Sequence, residues 1–361
     1  MYRASPFLIS VSLLLSLPLL FLLAPRILPP LFPLPDPISP ADELDDLSLL
    51  RRASSASSSL TRLSSSSSHH KIAFLFLTNS DLHFSPLWHR FFHNRPRSLF
   101  NLYIHADPSA NVSLPPPGSV FHGRLIPSKR TSRASPTLIS ATRRLLATAL
   151  LDDPANAYFA VLSQYCVPLH SFDYVYRSLF VSPTFDRSAP AAESAQHGVR
   201  LSYRSFIEAL DKSPSLWKRY TARGRYAMLP EVPFEKFRVG SQFFTLTRRH
   251  ALVVIRDRSL WKKFKLPCYR EDSCYPEEHY FPTLLSMEDP RGLTRYTLTA
   301  VNWTGTVNGH PHTYGPREVS PELIQRLRAS NHSESYLFAR KFSPDCLEPL
   351  MKIANKSIFR D

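Results

Sequence analysis

Glycine is scarce in this chain: nine in 361 residues, no two of them spaced GxG. That excludes the dinucleotide fingerprint, which needs glycines to bring backbone up to a pyrophosphate. Gly118 and Gly123 have P-loop spacing, but Arg124-Leu125 stands where Lys-Ser/Thr is required, so any phosphate must be held by side chains or helix ends. The four cysteines form no CxxC and leave no zinc-finger spacing. GxSxG and HExxH are both absent, which removes the commonest signatures of hydrolases and zinc proteases. No DxD clasp for magnesium or manganese stands at a strand end; Asp107 is alone in His105-Ala106-Asp107. Negative charge is also in short supply, 29 acids against 44 lysines and arginines, for a net charge of +15. Such a balance raises nucleic acid as a partner.

The N-terminus argues for other anions. Phe7 to Leu23 is an uncharged apolar run, ~26 Å long if helical, with Arg3 before it and Arg26 after it. We read residues 1–6 as a cytosolic tail and 7–24 as a transmembrane signal anchor of type II topology. A cleavable signal peptide ending near Ala24 is the rival, and Pro18 interrupts the run. Either route delivers the remainder to the secretory lumen. Nucleotide diphosphates, acidic polysaccharides or lipid headgroups then replace nucleic acid as partners of a basic domain.

Residues 25–70 read as a disordered stem: prolines to Pro40, the acidic run Asp42-Glu43-Leu44-Asp45-Asp46, then Ser54 to Ser68. Composition of this kind buries too little apolar surface to fold. Sequons at Asn111, Asn302, Asn331 and Asn355 suit a lumenal domain. Cys268 and Cys274 are candidates for a disulfide closing a short loop, which leaves Cys166 and Cys346 as a second possible pair.

From 71 to 361 the pattern alternates strand and helix. Lys71–Thr78 is an apolar run of buried-strand length, Leu99–Asp107 a second strand, and Pro136 opens an amphipathic helix. Ala157–Leu162 is a third strand, Gly240–Thr247 a fourth, and Tyr296–Val301 a fifth. The fold class is α/β with a mixed, mostly parallel central sheet, and ligands are expected at the carboxyl ends of strands, where Thr78, Asp107 and Ser163 stand. The basic stretch Arg187 to Arg225 reads as an insertion bordering that site.

Within Cys274 to Leu285, Glu277 and Glu278 sit inside an aromatic and aliphatic run, where a buried carboxylate costs several kcal/mol unless compensated. They are the best candidates for chemistry, against the plainer reading of helix-start acids behind Pro276. Arg340-Lys341 reads either as a solvated surface pair or as cations that neutralise a leaving diphosphate. His310-Pro311-His312 reads as a loop pair rather than metal ligands, since no acid or cysteine accompanies it.

In this order, several blocks resemble the core-2/I-branching N-acetylglucosaminyltransferase family, particularly its plant branch. They are Ile72 to Thr78, Tyr103 to Asp107, Ile126 to Lys129, Arg143 to Leu146, Leu162-Ser163 with Cys166 to Leu169, Met228 to Val232, Gly240 to Phe244, Glu278 to Thr283 and Leu337 to Phe342. The resemblance implies a Golgi type II membrane enzyme with a GT-A nucleotide-sugar domain, inverting, using UDP-sugar as donor and a glycan as acceptor, with neither metal nor cofactor. It implies Glu278 as catalytic base and Lys341 as a diphosphate contact, with Arg340 or Arg317 as a second cation and Asp107 and Thr78 beside the donor. Trp303 and Ser241 fall to the acceptor side. Two departures stand out: Arg133-Ala134 replaces a usual Trp-Gly, and Ala300 with Trp303 occupies a stretch that often carries two tryptophans. They keep open a second reading, a catalytically inactive Golgi glycan-binding or scaffolding protein.

Overall fold

The computed structural model describes residues 14–18, 38–60, 70–180, 204–304 and 310–361. The chain divides into a short N-terminal unit, 1–36, and a large unit, 37–361. In the first, 14–18 are helical, and the rest of the expected anchor, 7–24, lies outside the described residues. Among the described residues no helix is long and apolar enough to cross a membrane.

The large unit is built on β1 (Lys71–Thr78), β2 (Phe100–Ala106), β3 (Asn156–Ser163), β4 (Val167–Pro168), β5 (Ser205–Glu208), β6 (Thr245–Thr247), β7 (Leu293–Arg295), β8 (Thr299–Val301) and β9 (Phe338–Arg340). Six form one sheet in the order β2-β1-β3-β6-β5-β7, and β4-β9-β8 form a second. In the large sheet β1 pairs in parallel with β2 and β3, and β5 with β7, while β6 runs antiparallel to both neighbours. The expected mixed, mostly parallel sheet is therefore present.

β1 shows why its sequence is apolar throughout. Ile72, Phe74 and Phe76 face one core with Trp88, Phe91, Phe172 and Phe338, whereas Ala73, Leu75 and Leu77 face the other with Leu145, Leu146, Phe159 and Phe244. A strand covered on both faces has no polar side to display, and each buried Phe or Leu contributes about 1.5–3 kcal/mol.

The stem expectation needs correction. Pro40–Leu60 is an α-helix packed on the Pro136–Asp152 helix, with Leu50 and Ala53 buried. Ile38 and Leu49 also pack there, and ion pairs join this polar segment to the rest of the unit. Asp45 accepts from Arg144 at 2.8 Å, Asp46 also pairs with Arg144, and Asp42 and Asp45 pair with Lys129 at 3.1 and 3.0 Å. Glu43 pairs with Lys265 at 2.8 Å. Arg144 is only 5% exposed, so composition hid a folded segment whose acids answer a buried cation elsewhere in the chain.

Candidate active site

A cleft of about 230 Å³ opens at the carboxyl ends of β1 and β3, lined by Asn79, Gln164, Arg133, Glu278, Trp303 and Lys341 among others. It is small, below the ~300–1,000 Å³ of common ligand pockets, so the charges on its walls act on one another within a screening length. The strand ends supply one wall: Gln164 Nε2 donates to Asn79 Oδ1 at 2.6 Å. Thr78 is on that wall but buried, and its hydroxyl donates to the Ser80 carbonyl.

Opposite stands the acid pair. Tyr275, in the left-handed conformation at φ 39°, turns the chain into a 3-10 turn over Pro276–Glu278, and the helix Tyr280–Glu288 follows. Both acids are thus helix-start residues, but their environments diverge. Glu277 is buried, with Oε1 accepting from the Ala134 N–H at 3.1 Å and Oε2 unpartnered among the described residues. Burial first, and then the charge of Glu278, push its carboxyl up to about 7. Glu278 reaches the cleft, its side chain 30% exposed, and Oε2 accepts from Arg219 Nη1 at 2.5 Å. Its backbone is pinned as well, the carbonyl accepting from the Gly240 N–H at 2.8 Å. Of the two acids expected inside an apolar run only Glu277 is buried, and the expectation is corrected for Glu278, the proposed base, which faces the cleft.

Arg340 and Lys341 line the same cleft. The Arg340 guanidinium lies 4.2 Å from the Phe243 ring centroid and is close enough to Glu278 to feel its charge. Lys341 Nζ sits 5.6 Å from the Tyr165 ring. Burial, and then Arg340 and Arg133, lower the Lys341 ammonium from its usual range. The pair is not a solvated surface feature.

Of the other predicted residues, Trp303 lines the cleft and Asp107, Arg317 and Ser241 do not. Asp107 is buried and spent on its own loop: Oδ1 accepts from the Ser109 N–H and hydroxyl, Oδ2 from the Thr131 N–H and hydroxyl, at 2.6 to 2.8 Å. Burial works to raise this carboxyl, and those four bonds outweigh it, holding the group down at about 2. With its lone pairs filled, Asp107 braces the cleft wall through Thr131. Arg317 is exposed on the 3-10 turn Pro316–Glu318 and is not among the cleft residues, because Glu318 closes that turn on the Gly315 N–H at 2.7 Å and carries Arg317 outward. Ser241 turns its hydroxyl to the Phe243 N–H at 3.1 Å, leaving Gln242 and Phe243 on the cleft instead. Trp303, 54% exposed, is on the cleft rim.

His310 contacts Arg133, while His312 pairs with Glu318 at 2.8 Å, so the two histidines part. Cys268 and Cys274 are joined in a disulfide, and Cys166 and Cys346 are free and buried rather than a second bridge. Asn111, Asn331 and Asn355 are exposed; Asn302 is half-buried, its Oδ1 accepting from the Thr304 N–H at 2.9 Å.

The profile of the core-2/I-branching enzyme family matches residues 72–328. The chain belongs to the core-2/I-branching enzyme family. It is also 28% identical over 323 residues to a protein named Glycosyltransferase BC10 from Oryza sativa subsp. japonica, a match covering 76% of this chain and 74% of that protein.

As a core-2/I-branching enzyme the chain has departures that the fold explains in part. Ala134, in place of the usual Gly, keeps the left-handed backbone at φ 57° and donates to Glu277. Ala300 is buried in β8, away from the cleft lining. Two residues of the site had no functional reading in the sequence. Arg219 lies in the basic stretch expected to border the site, but nothing in its neighbours marks it as the partner of Glu278. Arg133 was legible only as a break from the family's Trp-Gly pattern.

Proposed function

We propose that this core-2/I-branching enzyme is an inverting, metal-independent glycosyltransferase that moves the sugar of an α-linked UDP-sugar to a glycan hydroxyl, forming a β-linkage. The single observation that carries the reading is the placement of Glu278 and the Arg340-Lys341 pair on one cleft at the strand ends.

In this reading the acceptor hydroxyl attacks the anomeric carbon from the face opposite the nucleotide, and Glu278 takes its proton. The bond from the anomeric carbon to the β-phosphate oxygen breaks, and its electron pair leaves with UDP. Lys341 and Arg340 meet the charge that develops there. The donor set argues against a divalent cation in the same place: Arg219 already occupies Glu278, burial favours a proton on Glu277, and three cations line the cleft. The rice relative's printed name, a glycosyltransferase, supports transfer chemistry. We assign the protein to the Golgi membrane as a type II enzyme with 1–6 cytosolic and 71–361 lumenal, a placement supported by the N-terminal apolar run, the sequons and the disulfide.

The test uses the full chain in detergent with a panel of UDP-sugars. One donor should raise the melting temperature, and NMR of the product should show a β-anomer, with activity retained in EDTA. Glu278→Gln should keep donor binding and lose turnover by about two to four orders of magnitude. An α-linked product, or near-native turnover of that variant, would overturn the mechanism.

A further inference from the structure

The charges of the cleft do not balance once the proposed donor is in place. A UDP-sugar brings a diphosphate whose two charges Arg340 and Lys341 suffice to meet, and Glu278 is already paired with Arg219. Arg133 is left over. Among the described residues no carboxylate lies within ion-pair distance of it, and the nearest acid to feel its charge is the buried Glu277, where burial favours the proton; Nη1 contacts the Nε2 of His310, which as an acceptor there is neutral, and the guanidinium lies 5.5 Å from the Tyr275 ring centroid. Burial, Arg133, Lys341 and Arg340 all hold that imidazole below its usual range, consistent with the neutral form. The other cation on the Tyr275 ring is Arg219, at 4.9 Å. A guanidinium held by an imidazole and an aromatic face is oriented without being neutralised, and its planar fork matches a carboxylate in bidentate fashion.

The position of Arg133 says which substrate brings the anion. Its neighbour Ala134 holds Glu277, and the ring under it also carries the arginine that grips the base. Arg133 therefore stands between the two ends of the cleft, close enough to Lys341 to lower its ammonium and, through Ala134 and Tyr275, on the side of Glu278, where an acceptor hydroxyl has to approach. Resting on the glycosyltransferase reading, we infer that Arg133 is a specificity residue for an acidic acceptor, a glycan whose sugar bears a carboxylate close to the hydroxyl that is glycosylated.

The experiment titrates the full chain, with and without UDP, with uronic-acid oligosaccharides and with the same oligosaccharides after carboxyl reduction. An oligogalacturonide and a glucuronic-acid-containing oligosaccharide serve as probes. With UDP bound, the acidic form should bind at least about tenfold tighter than its reduced counterpart, the scale of one charge-assisted pair. Arg133→Gln should erase that difference while leaving UDP affinity within about twofold and the melting temperature unchanged, and Arg133→Lys should restore part of the preference. Equal binding of acidic and reduced forms, with UDP bound normally, overturns this inference and leaves the proposed function standing. No UDP binding overturns the proposed function, and the titrations without nucleotide still judge Arg133. An Arg133-dependent preference for UDP-glucuronic acid over UDP-glucose, with no acceptor preference, would move the carboxylate to the donor and overturn the acceptor assignment.

Discussion

Arg219 donates from Nη1 to Oε2 of Glu278 across 2.5 Å, although 59 residues separate the two in the chain. The guanidinium is itself positioned, 4.9 Å from the Tyr275 ring and with His279 Nε2 at 3.5 Å. His279 is fully buried and held neutral, its ring stacked on Phe237 and its Nδ1 donating to the Arg238 carbonyl at 2.8 Å. The carboxylate proposed as base is thus fixed in place before any acceptor arrives.

Removing that support should cost rate more than affinity. We expect Arg219→Met to lower kcat by about tenfold to a hundredfold, the penalty of a misplaced catalytic group, with little change in the KM for donor. Steady-state kinetics checks it, and an unchanged kcat would make Arg219 a structural partner only.

Glu277 should make stability depend on pH. Its folded carboxyl titrates at about 7, above the unfolded value near 4.5, so the native state binds the extra proton between those values. Stability from this group is present below pH 4.5 and lost as pH rises toward 7, by on the order of 2–3 kcal/mol. The buried His105 and His279 are shifted the opposite way, down to about 4 and about 3, and contribute stability that grows as pH rises toward the unfolded histidine value. The difference between wild type and Glu277→Gln in denaturant melts isolates the acid: the variant should gain relative stability between pH 5 and 7.5, and parallel profiles would refute the assignment.

The Pro40–Leu60 helix should be part of the fold rather than a spacer. Asp45→Asn with Asp46→Asn leaves Arg144 buried without its carboxylates, which should cost about 3 kcal/mol. At roughly 2 °C per kcal/mol for a domain of this size, calorimetry should record a melting temperature lower by about 6 °C. A shift under 1 °C would mean that the helix is docked without contributing.

Ala134→Gly should stabilise the protein. The left-handed φ of 57° costs an alanine ~1–2 kcal/mol, and part of the relief is returned as unfolded-chain entropy. A gain of about 0.5–1 kcal/mol in chemical denaturation is the expected result, and a loss would show that the turn tolerates alanine better than glycine.

Local pattern made much of this protein legible. The uniform apolar run of β1 announced a strand covered on both faces, Pro136 marked the start of a helix, and Glu277-Glu278 stood out as acids in an apolar run. The ordered blocks from Ile72 to Phe342 carried the family.

Pairing across the chain was not legible, because periodicity reports how one segment meets solvent and not which distant segment covers it. Adjacent in sequence, Glu277 and Glu278 part company only when Ala134 covers one and Arg219 takes the other. The acids at 42–46 looked like solvated stem until the fold set Arg144 and Lys129 against them. Asp107 ended a strand as expected, yet its hydrogen bonds went to Ser109 and Thr131 because the returning loop reached it first. By itself, then, the sequence determined the three long parallel strands β1 to β3, the family and the candidate acids, while β5 emerged from the stretch read as an insertion. The tertiary structure alone decided which acid faces the cleft and which cation, among the described residues, has no carboxylate within ion-pair distance, since the energy of a charge depends on what the fold places within a few ångströms of it.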